Sequence, residues 1–250
     1  MSRLPDPLAR APRTRQTEAS EPERLAAILE AGCEELSIHA DSQERERLLT
    51  YLGLMQRWNR VYNLTAVRDP QAMLVQHVLD SLAVLPWLDQ TLAALAPRPD
   101  ASAGGLPRLV DVGSGAGLPG LVIAISRPAL AIDLVEPVGK KAAFLRQCVA
   151  ELGLAARVRV HDLRVEALRL IAPPELIICR AFASLADYAK GVEGLIGPHT
   201  NVLAMKGRRS EIDAEAAALV NGWRLAALEP LRVPGLDGER HLVWLAAPVQ

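Results

Sequence analysis

The chain has 250 residues, half of them hydrophobic, with 28 basic and 29 acidic side chains and a formal net charge of −1. That apolar content is enough for a packed interior of Leu, Val, Ile and Ala, and it excludes global disorder. The near-even charge, 11 basic to 14 acidic before Arg108 and 17 to 15 from there on, supplies no overall cationic field. A nucleic-acid partner therefore has to be held by a local patch. Cys33, Cys148 and Cys179 are too widely spaced for a zinc site or a disulfide framework, and the five histidines form no metal motif, so no metal is expected. No apolar run reaches the ~18 residues of a membrane span, so the expectation is a soluble cytoplasmic protein with no membrane segment.

Residues 1–20 are rich in Pro, Arg, Ser and Thr and read as a disordered tail. From 21 to 36, Leu25, Ile28, Leu29 and Leu36 recur at helical spacing. Asp41 followed by Glu44 resembles a capping box, and Leu48, Leu49, Leu52, Met55 and Val61 then predict a long amphipathic helix. Residues 73–88 are helical again, with Pro86 bending or ending the run. Together 21–92 form an N-terminal helical region, and 93–107 (AALAPRPDASAGGLP) reads as a linker.

Beyond it the period changes. Short apolar runs at 108–112, 130–135, 157–160, 175–179, 200–205 and 240–246 alternate with helical stretches near 118–126, 139–152, 185–195 and 209–220. This alternation predicts an α/β fold with a doubly wound, mostly parallel sheet over 108–250, carrying the helical region as an N-terminal extension. Ligands of such sheets bind beyond the carboxyl ends of the strands, where Asp111, Glu136 and Arg180 fall.

The segment RLVDVGSGAGLPG (108–120) reads as a buried strand entering a glycine-rich turn and then a helix. A backbone that turns sharply against a ligand has no room for Cβ and often needs positive φ, and the following helix offers free N–H groups. Gly115, Gly117 and Gly120 spell G-x-G-x-x-G, and Glu136 closes the next strand where a ribose hydroxyl binds. Both dinucleotides and S-adenosylmethionine fit that pattern. Asp111 favours the second: a carboxylate beside a pyrophosphate repels it by roughly 1–4 kcal/mol at 4 Å, while S-adenosylmethionine has a cationic end. Asp111 can equally cap the turn through backbone N–H groups. In this reading Gly113, Gly115 and Gly117 let the backbone approach the methionine part of the cofactor. Leu118 opens the helix, and Glu136 either accepts from ribose or pairs with Lys140.

VDVGSGAGLPG does not stand alone. With YNLTAVRDP (62–70), HVLDS (77–81), RAFASL (180–185), AMKG (204–207) and LDGERHLV (236–243), it resembles the RsmG/GidB family in order and spacing. Members of that family are guanine-N7 methyltransferases of bacterial 16S ribosomal RNA. The resemblance implies a Rossmann-like class I methyltransferase fold and S-adenosyl-L-methionine as cofactor. It also implies a partner in 16S RNA within the small subunit or its precursor, with a monomer expected. It places cofactor contacts at Val165, Glu166 and Arg180, with His161-Asp162 as a rival position for adenine.

Arg180 ends a buried run, where an unpaired charge is costly. Lys206, with Lys140, Lys141 and Arg146, is a candidate phosphate-binding rim for RNA. Asn63, His77 and Asp80 are caps or core hydrogen bonds on their own, and in the family reading they belong to a segment that closes over the cofactor side. Gln76 departs from the arginine expected there. N7 of guanine has a free lone pair, so direct in-line transfer without metal or covalent intermediate needs no general base, and positioning supplies roughly 7–11 kcal/mol. N7 lies in the deep major groove of an RNA helix, so the target is looped or unstacked. Two rivals stay open: an NAD-dependent oxidoreductase using the same loop, and a non-catalytic cofactor-binding ribosome factor.

Overall fold

A computed structural model describes residues 19–94 and 105–248 of the chain. Most of the predicted tail, and residues 95–104 of the predicted linker, lie outside the described residues. Seven strands form one sheet: β1 (Arg108–Val112), β2 (Ala131–Val135), β3 (Val158–His161), β4 (Leu176–Arg180), β5 (Asn201–Lys206), β6 (Arg224–Pro230) and β7 (His241–Ala246). Their order is β3-β2-β1-β4-β5-β7-β6. The first five strands are parallel, and β7 runs antiparallel between β5 and β6.

Alternation along the central strands divides the core in two. Leu109, Ile132, Leu134, Leu176 and Ile178 pack with the N-terminal helices, α6 (Gly120–Ser126) and α7 (Gly139–Glu151). Val110, Val112, Ile177 and Cys179 face α8 (Leu185–Val192) and α9 (Arg209–Ala217). The N-terminal helices thus share one continuous core with the sheet. β1 lies between β2 and β4, so the order reverses there and the crevice opens at the carboxyl ends of β1 and β4.

The first helices follow from local chemistry. α1 (Glu21–Glu35) starts where the Ser20 N–H donates to Glu23 Oε2 at 2.7 Å, and α2 (Ser42–Tyr62) where Asp41 Oδ1 accepts from the Glu44 N–H at 2.7 Å. Leu48, Leu52 and Met55 of α2 are buried as their spacing predicts. Val61 is not; it is 70% exposed. The next helical region is built in pieces: α3 (Pro70–Met73), a π-helical turn (Leu74–Leu79), α4 (Asp80–Leu82) and α5 (Leu85–Ala94). Pro86 therefore sits in the first turn of a new helix, where its missing N–H costs nothing. β6 has no counterpart in the apolar runs. It is an edge strand, largely exposed and rich in Ala and Leu, so it lacks the buried, β-branched signature.

Gly120, the first residue of α6, packs against β1 and β2. A Cβ there would lie 2.4 Å from Leu134 Cδ2 and 2.6 Å from Asp111 Oδ2. Gly120→Ala is expected to cost about 1–3 kcal/mol of stability through overpacking, seen as a lower midpoint in urea denaturation.

Candidate active site

The loop between β1 and α6 is held from three sides. The Gly113 and Ser114 N–H groups donate to the Val135 carbonyl at 2.9 and 3.1 Å, so the loop is tied to the end of β2. Within it the Gly117 and Leu118 N–H groups converge on the Ser114 carbonyl at 2.7 and 3.0 Å. Gly113, Gly115 and Gly117 take φ of +69°, +57° and +91°, the left-handed conformations expected of this turn. From the helical side, the Tyr51 hydroxyl of α2 donates to the Ala116 carbonyl at 2.6 Å.

Asp111 lies behind this loop rather than facing a ligand. It is fully buried, and its Oδ2 accepts from the Gly120 N–H at 3.0 Å. Burial pushes its carboxyl from 3.8 up to about 7, against the opposing pull of Gly120, Ser114 and Arg180. The turn-capping alternative is the one that the geometry supports. Asp111 is therefore not a charge presented to an incoming pyrophosphate: its side chain is buried behind the turn, with Oδ2 on the Gly120 N–H.

Glu136 is also buried, yet it sits at the loop itself. Its Oε2 accepts from the Gly115 N–H at 2.8 Å and its Oε1 from the Val138 N–H at 2.9 Å. Both partners are backbone amides, and Lys140 is not one of them. Two of the roughly four lone-pair positions of a carboxylate remain for hydroxyl donors. Val165 is buried in a 3₁₀ turn (Val165–Ala167), with Glu166 exposed beside it. His161 is engaged elsewhere: its Nε2 lies 2.6 Å from Asp133 Oδ1, and Asp133 Oδ2 accepts from Arg108 at 3.0 Å. Asp162 pairs with Arg146 at 3.4 Å.

Arg180 leaves the end of β4 and turns toward the N-terminal helices. It donates to Asp80 Oδ2 at 2.8 Å and to the Gln76 carbonyl at 2.9 Å, and lies 3.3 Å from His77 Nδ1. Asp80 is buried and takes a second arginine, Arg240, at 3.1 Å. His77 Nε2 meets Thr65 Oγ1 at 2.8 Å, and Asn59 holds the same loop through the Thr65 N–H and the Val67 carbonyl. His77 lies in the π-helical turn, a form concentrated at functional positions, and Asp80 begins the α turn after it.

The proposed phosphate rim is only half present. The Lys206 ammonium is almost buried and clamped by Glu215 at 2.7 and 3.0 Å, so it is not free for phosphate. Arg146 is half-exposed in its pair with Asp162. Lys140 and Lys141, at the start of α7, have no ion-pair partner among the described residues. Sequence reasoning missed Tyr51, Asn59, Thr65 and Arg240. Arg240 does lie inside the block LDGERHLV, which was the one available pointer to it.

A family model for rRNA small subunit methyltransferase G, GidB, matches residues 44–243. The chain belongs to the GidB family. A relative from Leptothrix cholodnii named Ribosomal RNA small subunit methyltransferase G is 49% identical, covering 86% of this chain and 92% of that one. One of the same name from Ralstonia nicotianae is 45% identical over 87% and 93% of the two chains.

Among solved structures, a human methyltransferase 10 domain containing protein superposes on this GidB-family fold with a TM-score of 0.52 at 14% identity, covering 79% of this chain and 97% of that one. The glycopeptide N-methyltransferase MtfA, solved with S-adenosyl-L-methionine, gives 0.51 at 12% identity, over 68% and 94% of the two chains. These likenesses establish the Rossmann-like methyltransferase fold.

The Asp80 network makes two measurable claims. Asp80→Asn leaves two arginines sharing a neutral amide, and is expected to cost about 3 kcal/mol, the lower end for breaking a buried pair because both arginines are part-exposed. Urea denaturation checks it. Burial, and then Arg180, hold His77 down at about 4 against an ordinary 6.5. Between those values the unfolded chain binds a proton that the folded chain refuses, so stability falls as the pH drops from 6.5 to 4. Asp111 acts with the opposite sign, losing stability as the pH rises from 3.8 toward 7. Comparing wild type with His77→Gln cancels the Asp111 contribution, and wild type is expected to lose stability relative to the variant on acidification.

Proposed function

We propose that this GidB-family protein transfers a methyl group from S-adenosyl-L-methionine to N7 of one guanine in 16S ribosomal RNA. The observation that carries the reading is the family match across 44–243, which spans both the glycine loop and the helical segment docked over it. Relatives bear the name Ribosomal RNA small subunit methyltransferase G, and the solved MtfA structure holds S-adenosyl-L-methionine on the same fold. The dinucleotide alternative falls with the family.

The residues present fit the cofactor. Gly113 and Gly115 take left-handed φ with no atom crowding the place of a Cβ, Gly117 makes room for Leu121 and Leu145 beneath the loop, and a buried carboxylate with spare lone pairs stands at the end of β2. In the proposed site Gly113, Gly115 and the turn at Leu118 hold the methionine part; Leu118 lies in that turn, two residues before α6 begins, and does not open the helix as the sequence suggests. Glu136 accepts from the ribose hydroxyls, and the turn at Val165 and Glu166 bounds the adenine. Asp111 supports the loop from behind through Gly120. Arg180, fixed by Asp80, closes the pocket on the side of the N-terminal helices. Residues 21–92 act as the cover of the 108–250 domain, joined to it through 93–107.

Bound S-adenosyl-L-methionine supplies an electrophilic methyl group. Guanine N7 presents an unshared pair, so no side chain has to remove a proton first. The chain's contribution is orientation, worth roughly 7–11 kcal/mol when reacting atoms are held in line. Exclusion of water by the tightly bonded loop and cover adds to it.

Incubation with labelled methyl donor and 30S particles from cells lacking the modification is expected to yield 7-methylguanosine. Absence of that product from both 30S particles and stripped RNA overturns the reading. Glu136→Ala is expected to weaken S-adenosylmethionine binding by about tenfold or more in calorimetry, equivalent to ~1.4 kcal/mol.

A further inference from the structure

The C-terminal end of α2 exposes what an amphipathic helix ordinarily hides. Val61 is 70% exposed and Tyr62 40% exposed, and Val138, just before α7, is 41% exposed. The Tyr62 ring is not loose. Its centroid lies 5.0 Å from that of Trp58 at an interplanar angle of 35°, and Trp58 in turn lies 5.5 Å from Phe144 of α7. Phe144 is fully buried, so the three rings form a ladder that runs from the core to solvent and ends on Tyr62.

The two helices that carry this ladder also carry cations, while the carboxylates nearest them, Glu151 and Asp162, are paired with Arg57 and Arg146. Lys140 and Lys141 stand one turn before Phe144 on α7, and residues 137–146 contain no carboxylate. Arg60 is exposed and, like the two lysines, has no ion-pair partner among the described residues. Arg68 donates to Asn63 Oδ1 at 2.9 Å, which holds its guanidinium beside the end of α2. The one carboxylate of residues 57–69, Asp69, is occupied in capping α3 through the Ala72 N–H at 2.8 Å.

The ladder also stands next to the proposed cofactor site. Val138 donates its N–H to Glu136, Tyr51 of the same α2 bonds the glycine loop, and Asn59 secures the residues that reach His77. An exposed aromatic on a rigid support, with unpaired cations on the same two helices, is the arrangement that binds single-stranded nucleic acid: the ring stacks a base and the cations hold phosphates.

Building on the proposed RNA substrate, we propose that Tyr62 is a stacking platform for an unpaired RNA base beside the target guanine, with Arg60, Lys140 and Lys141 gripping the adjoining phosphates. The apolar area alone suits a protein partner as well. The local excess of positive charge, in a chain of net charge −1, selects RNA.

The test is steady-state methyl transfer to 30S particles lacking the modification, with Tyr62→Ala and Tyr62→Trp beside wild type. The alanine variant is expected to raise KM for the particle about 5- to 150-fold, the range for losing one base–aromatic stack, with kcat unchanged. Its thermal midpoint and its calorimetric affinity for S-adenosylmethionine stay at the wild-type values, and the tryptophan variant restores KM. Ultraviolet crosslinking of the wild-type complex places a nucleotide on Tyr62. An unchanged KM in the alanine variant overturns the proposal. So does a tryptophan variant as poor as alanine, a parallel loss of cofactor affinity, or a crosslink to ribosomal protein instead of RNA. Wild-type protein that methylates no RNA fails the functional reading and this proposal with it, whereas an active wild type with an indifferent Tyr62 fails this proposal alone.

Discussion

The tie between Asp80 and two arginines is the constraint on which the rest of the site depends. A carboxylate with its side chain 2% exposed survives inside the fold only because Arg180 and Arg240 meet it, at 2.8 and 3.1 Å. An unmatched charge at that depth costs several kcal/mol. The pairing therefore fixes three distant segments against one another: the helical turn of Asp80, the end of β4 and the loop that enters β7. The same contact aligns His77, Thr65 and Asn59, and it sets the position of the N-terminal helices over the crevice. Hydrophobic packing brings these helices to the sheet, and the ion-pair network sets their register.

Loop and network solve different problems. The glycine loop is a matter of backbone: its carbonyls and amides are satisfied by Val135, Ser114, Tyr51 and Glu136, so its bare surface can be offered to a ligand without leaving the other side unpaired. Asp111 belongs to that internal accounting. A carboxyl raised to about 7 by burial is a structural prop, and its spacing ahead of the first glycine is set by the bond to Gly120. Glu136, equally buried, differs because it stands where β2 ends and the crevice begins.

The strands of the parallel sheet were legible because their apolar runs are short, separated by helical stretches and, apart from the edge strand β3, mostly buried. β6 was not, since an exposed edge strand rich in Ala and Leu carries no buried period. The glycine loop could be read residue by residue, as its conformation follows from the absence of Cβ. Charged side chains were harder to place. Lys206 and Arg180 sit alike after their strands in the sequence, yet one is locked to Glu215 and the other reaches across to Asp80. Asp111, beside the glycines in the sequence, carries no local sign of its depth, and only the fold buries it behind the turn. Partners that lie 100 and 160 positions apart have no local signature. Val61 shows the converse: helical period alone places it on the apolar face of α2, while the end of that helix leaves it 70% exposed.

Arg240 lies at the entry to β7, 160 positions after the carboxylate that it holds. The second guanidinium on Asp80 is thus supplied by the last strand of the sheet, so the antiparallel edge takes part in holding the N-terminal helices although it lies two strands from β1's other neighbour, β4.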